Sequence, residues 1–138
     1  MNGACDDMNS RTETRSTESP IDPSAILGLL VDPRHIPDWA NGFADDVVGD
    51  PETGWSAVKG GQTFALRAVV AQDVGTVDYL REISTGREGG AYVRVIPRPG
   101  GGSVVVMTIP VPREAERDAV VATLKDELTA LIDLAGNS

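Results

Sequence analysis

The sequence predicts an α+β domain in which one long amphipathic helix near the C-terminal end lies on a sheet of antiparallel strands. Val120, Val121, Leu124, Leu128, Leu131, Ile132 and Ala135 fall within an arc of about 120° when placed at 100° per residue. Asp126 and Asp133 lie on the far side. Between Phe43 and Ile109, short β-prone segments alternate with glycine and proline, as expected of strands joined by tight turns. A single helix with so wide an apolar stripe needs a broad apolar surface to cover, and the strand region is the surface this chain offers.

At 138 residues the chain has the size of one domain, and such a domain buries about two-thirds of the surface its unfolded form exposes. Residues 1–10 are polar and without periodicity, which predicts a disordered tail; residues 11–138 make up the domain. "RTETRSTES", residues 11–19, alternates charged and hydroxyl side chains, and its threonines favour a polar strand. "IDPSAILGLLVDP" then reads as a short helix. Asp22 is placed to cap the first free N–H groups, Pro23 suits the first helical position, and Asp32-Pro33 ends it. Ile26, Leu27, Leu29 and Leu30 supply its buried side.

Five further segments carry the strand pattern: "ADDVVGD", "GWSAVK", "QTFALRAVVAQ", "GTVDYLREIS", and the hairpin "GAYVRVIPRPGGGSVVVMTIP" turning at Pro99 to Gly102. Phe64, Leu66, Ala68 and Val70 share one phase of their strand, with Val69 on the other, so both faces of the sheet are expected to be partly covered. In the last helix, burial of six large aliphatics stabilises the fold by about 1.5 to 3 kcal/mol each before conformational entropy is counted.

The formal charge of −9, from 12 basic and 21 acidic residues, argues against nucleic acid, whose phosphates require a basic face, and against an anionic membrane surface. Cys5 is the single cysteine, so no internal disulfide forms and a reducing, cytoplasmic setting is the simplest. No apolar run reaches the length of a membrane span, and "MNGACDDMNS" lacks the basic and hydrophobic regions of a signal peptide. One histidine and one cysteine leave no usual set of zinc ligands, and neither a metal nor another cofactor is expected. "GREGG" and "PGGGS" do not open a helix with a Lys-Ser or Lys-Thr pair, so they read as hairpin loops and not phosphate cradles.

Taken in order, strand, short helices, antiparallel strands and long terminal helix, the chain resembles the SRPBCC superfamily, the START-like helix-grip group that includes polyketide cyclase or dehydrase-like proteins. "DPRHIPDWANGF" is similar to that group's segment after the first helix, and "GTVDY" to its G-v-x-D-H strand opening. "YVRVIPRPGGGSVVVMTI" is similar to its penultimate hairpin, and "DELTALIDL" to its terminal helix. The resemblance implies a curved antiparallel sheet wrapped around the long helix, two short helices closing one end, and a small hydrophobic molecule bound between them. It specifies a fold, not a reaction.

The candidate ligand-binding residues are Trp39, Asp78, Tyr79, Arg94 and Leu128; no catalytic residue is assigned. Trp39 is read as a plug at the junction of short helices, sheet and long helix, a role compatible with lining a pocket. Asp78 sits in an apolar and aromatic strand and, if buried, needs a partner such as Arg67 or Arg94. Tyr79 stands where the group's pattern has histidine, which puts histidine chemistry in doubt. Asp78 and Tyr79 are neighbours on a strand and therefore point to opposite faces. Arg94 either reaches a ligand oxyanion or faces solvent, and alternation leaves both open. Leu128 lies near the middle of the helical stripe. His35, between Pro33 and Pro37, reads as a surface residue with no serine or cysteine nearby to complete a triad.

The leading functional expectation is a carrier or sensor for a small hydrophobic ligand. Two alternatives stay open: an enzyme of the cyclase or dehydratase type, and a protein-interaction module using an outer sheet face on which Val69, Val93 and Val95 would be exposed. A homodimer is also left open.

Overall fold

The structure, a computed structural model, describes residues 11–84 and 86–137; the predicted tail lies outside the described residues. Seven strands form one curved antiparallel sheet. They are β1 (Thr12–Ser19), β2 (Asp46–Asp50), β3 (Gly54–Lys59), β4 (Gln62–Ala71), β5 (Thr76–Ser84), β6 (Arg87–Pro97) and β7 (Ser103–Pro110). Their order across the sheet is β1-β7-β6-β5-β4-β3-β2. Every neighbour pair except β1–β7 is a sequential hairpin, and β1 is brought beside β7 by the intervening chain.

Helix α1 (Pro23–Leu30) starts as its sequence dictates: Asp22 accepts from the Ser24 backbone N–H at 2.9 Å, and Pro23 opens the first turn. After Asp32 the chain makes a turn of 3₁₀ helix at Pro33–His35 and the single-turn α2 (Ile36–Trp39). Ser19 and Ser103, both buried, hold the approach to α1. The Ile21 N–H donates to Ser19 Oγ at 3.0 Å, and Ser103 Oγ donates to the Ile21 carbonyl at 2.7 Å.

Between β4 and β5 the chain closes a 3₁₀ turn with Gly75 at φ +72°, where an added Cβ would stand 2.2 Å from the Val95 carbonyl oxygen. Only glycine satisfies both demands, and the Val95 N–H in turn donates to the Gly75 carbonyl at 2.8 Å.

The concave face of the sheet carries Val77 and Tyr79 from β5, Val93 and Val95 from β6, and Val105 and Met107 from β7, all buried. Helix α3 (Arg117–Gly136) lies on that face with Leu124, Leu128, Leu131 and Ala135 buried, packed against β1, β7, α1 and α2. Its first residue is clamped to the sheet, because Arg117 donates to Glu13 of β1 as well as to Glu114, the latter at 2.8 Å. The hydrogen bond from Arg117, with a second from Arg15, holds the Glu13 carboxyl below its ordinary range.

Val93 and Val95 are almost wholly buried, which corrects the expectation of an exposed outer patch containing them. The inward phase of their strand is the one that sets Val93 opposite Val77 and Met107, while the outward phase carries Arg94 with Tyr92 and Ile96. Val69 alone of the three faces out, 39% exposed.

Candidate functional site

Between the concave face, α2 and α3 the chain leaves a cavity of about 390 Å³. Its walls are largely apolar. Ile36, Trp39, Ala40 and Phe43 form the side made by α2 and the loop behind it; Tyr79, Ala91 and Ile109 form the sheet side; Val120 closes the α3 side. Few polar groups reach this space. They are Arg81 from β5, with Glu116, Thr123 and Glu127 at and along α3.

Trp39 is 4% exposed, and its indole stands 6.1 Å from the Tyr79 ring, centroid to centroid, at a tilt of 43°. It borders both this cavity and a smaller one of about 230 Å³ between α2 and α3, lined also by Asp38, Asn41 and Asp126. Tyr79 presents its ring to the main cavity while its hydroxyl donates to the Leu30 carbonyl at the end of α1. Burial, reinforced by the Asp32 carboxylate, pushes the phenol well above its ordinary range. Tyr79 therefore stays protonated and serves as a wall and a tie to α1, not as a base.

Asp78 and Arg94 point the other way. Arg94 Nη1 donates to Asp78 Oδ1 at 2.7 Å, with the two side chains 44% and 17% exposed respectively. The strand parity that buries Tyr79, Val93 and Val95 sends both of these side chains to the convex face, so they share a face and pair there, away from the cavity. Neither borders it. Leu128 is 3% exposed in the core under α3 and does not border the cavity either. His35 is a surface residue, its Nδ1 3.8 Å from Asp38 Oδ2 with 39% of the side chain exposed.

Two groups that sequence reasoning passed over stand in the cavity wall. Arg81 is in phase with Tyr79 on β5, so the parity that turns Tyr79 inward turns Arg81 inward too. Its guanidinium lies 4.3 Å from the centroid of the Phe64 ring, and Phe64 meets Phe43 edge to face at 5.8 Å, so the cation is seated on an aromatic shelf. Glu127 is three residues beyond Leu124 and four before Leu131, at the edge of the apolar stripe. Burial, with a further push from the Asp126 carboxylate, raises its carboxyl to about 7. No hydrogen-bond or ion-pair partner stabilises its charged form among the described residues.

Two buried side-chain polar atoms lack a hydrogen-bond partner among the described residues: Trp39 Nε1 and Arg81 Nε. Both belong to residues that border the main cavity. A buried N–H without an acceptor costs about 1–3 kcal/mol. Among the described residues no group of three or more His, Cys, Asp or Glu side chains is placed to hold a metal ion, and no helix is long and apolar enough to cross a membrane.

No protein-family model matches the sequence, and no curated protein resembles it at the sequence level. Solved structures do share its architecture. The chain is similar to the Zhui aromatase/cyclase from Streptomyces sp. R1128, with a TM-score of 0.68 and 12% identity over 91% of this chain and 93% of that one. It is similar to a START superfamily protein from Mycobacterium smegmatis, with a TM-score of 0.63 and 11% identity over 93% and 99% of the two chains. Ara h 8.0201 gives a TM-score of 0.58 and 16% identity over 92% and 98%. The chain shares the helix-grip fold of these structures. At these identities the likeness is one of fold, and it leaves the chemistry to the residues in this cavity.

Proposed function

We propose that this chain binds a small, largely apolar molecule in the cavity between the sheet and α3, as a carrier or sensor acting in the cytoplasm. The observation that carries the reading is the cavity itself, about 390 Å³ in volume and walled by Ile36, Phe43, Tyr79, Ala91, Ile109 and Val120. Its size falls within the range of about 300–1,000 Å³ usual for small-molecule sites, and such sites combine apolar walls with a few polar anchors. In this reading Trp39 and Tyr79 contact the ligand directly and Leu128 backs α3 against the sheet. Asp78 and Arg94 serve the convex face.

A second reading, an enzyme of the cyclase or dehydratase type, is favoured by Glu127: a carboxyl raised to about 7 exchanges a proton near neutrality, as a general acid or base must. One of the structurally similar proteins is an aromatase/cyclase. On this reading Glu127 moves a proton to or from a ligand that the same walls hold.

The test of binding uses the uncharged fluorescent probe N-phenyl-1-naphthylamine. Saturable enhancement with one probe per chain is expected. Val120→Phe, which extends a ring from α3 into the cavity, is expected to weaken binding by about tenfold, or about 1.4 kcal/mol, with unchanged circular dichroism. No saturable enhancement, or equal affinity in the folded variant, overturns the proposal.

A further inference from the structure

The two orphaned donors have one feature in common besides burial: both are N–H groups of residues that border the same cavity, contributed by different elements. Trp39 Nε1 comes from α2 and Arg81 Nε from β5. An N–H can only donate, so neither can be satisfied by the other. From these two donors we infer that the ligand is an apolar molecule carrying an oxyanion, a carboxylate or an enolate, whose oxygen accepts from the Arg81 guanidinium and from the Trp39 indole. This rests on the cavity-binding reading above and narrows it to a chemical class.

The surroundings support an acceptor of negative charge. Arg81 has no carboxylate partner among the described residues, unlike Arg94 with Asp78, Arg117 with Glu13, or Arg34 with Asp32. Its positive charge is backed by the Phe64 ring and left for whatever enters the cavity. The acidic groups nearby do not cancel this. Glu116 accepts from Arg113 Nε at 2.9 Å, so its charge is already paired. Glu127, raised to about 7, is neutral at slightly acidic pH and then offers a third donor. Asp38 and Asp126 line the smaller cavity, not the main one. The apolar walls made by Ile36, Phe43, Ile109 and Val120 accommodate the rest of the molecule.

Decanoate and decanol separate the class from the site, since they present the same chain with and without the oxyanion. Titration calorimetry at pH 6 is expected to show decanoate bound about tenfold or more tightly than decanol, in line with a charge-assisted hydrogen bond. Arg81→Met is expected to bring the two ligands to within about twofold of each other by weakening decanoate alone. Trp39→Phe, which keeps a ring and removes the N–H, is expected to weaken decanoate by about threefold to tenfold. Circular dichroism and melting temperature report whether each variant is folded. Should Arg81→Met fail to fold, the wild-type preference together with Trp39→Phe decides the matter.

Equal binding of the two ligands by the wild type, or a preference that survives in folded Arg81→Met, overturns the oxyanion assignment and leaves cavity binding standing. Absence of binding by both, together with absence of N-phenyl-1-naphthylamine binding, overturns both.

Discussion

Replacing Glu127 by glutamine removes a charge without changing the shape of the side chain, and its effect on stability is expected to depend on pH. In the folded chain the carboxyl is raised to about 7, from an ordinary value of 4.5, chiefly by burial. Between those two pH values the folded chain holds a proton that the unfolded chain has released, so stability falls as pH rises through that window. Below about 4.5 the penalty is absent; above about 7 it is fully present. The gap corresponds to a ceiling of about 3 kcal/mol, and the partial access of this side chain to water reduces it to about 1–2 kcal/mol. Glu127→Gln is therefore expected to lie within about 0.5 kcal/mol of the wild type in urea unfolding at pH 5 and to be more stable by about 1–2 kcal/mol at pH 8.5. Trp39, buried in the folded chain, supplies the fluorescence signal. A variant equally stable relative to wild type at both pH values, or less stable at pH 8.5, would refute the burial argument and remove Glu127 as a proton donor near neutrality.

Other substitutions test neighbouring parts of the account. Leu128→Ala is expected to cost about 2–5 kcal/mol by opening a void under α3, whereas Asp133→Ala on its exposed side is expected to be nearly neutral; urea midpoints compare them. Tyr79→Phe leaves the Leu30 carbonyl without its donor and is expected to cost about 1–3 kcal/mol, read as a lower melting temperature. Arg94→Met removes a pair on the convex face and is expected to change stability by less than about 1 kcal/mol, with N-phenyl-1-naphthylamine affinity unchanged.

The fold was legible because its signals are local and redundant. Asp22 and Pro23 mark the start of α1, and the stripe from Val120 to Ala135 names both a helix and the face it buries. The cavity was less legible, since its composition depends on which phase of each strand turns inward. On β6, Arg94 shares the phase of Tyr92 and Ile96, and an arginine there reads equally as a ligand anchor or a solvent-facing residue, so alternation alone does not separate the faces; the register with Val77 and Met107 does. Arg81 shares the phase of Val77 and Tyr79, but its charge reads locally as a solvent-facing residue. Glu127 occupies a stripe position by spacing and a surface position by chemistry. Polar residues that break an apolar period are where the wall of a site departs from the pattern of a core, and these two do so within one cavity.

The central claim, that ligand enters between the sheet and α3, is tested most directly by methyl-resolved NMR of the labelled chain titrated with N-phenyl-1-naphthylamine. The account predicts that the methyl signals of Ile36, Ala91, Ile109 and Val120 shift together and saturably, while those of Val69 and Ile96, exposed on the convex face, remain in place. Shifts at Val69 and Ile96 with the cavity methyls unmoved would contradict it.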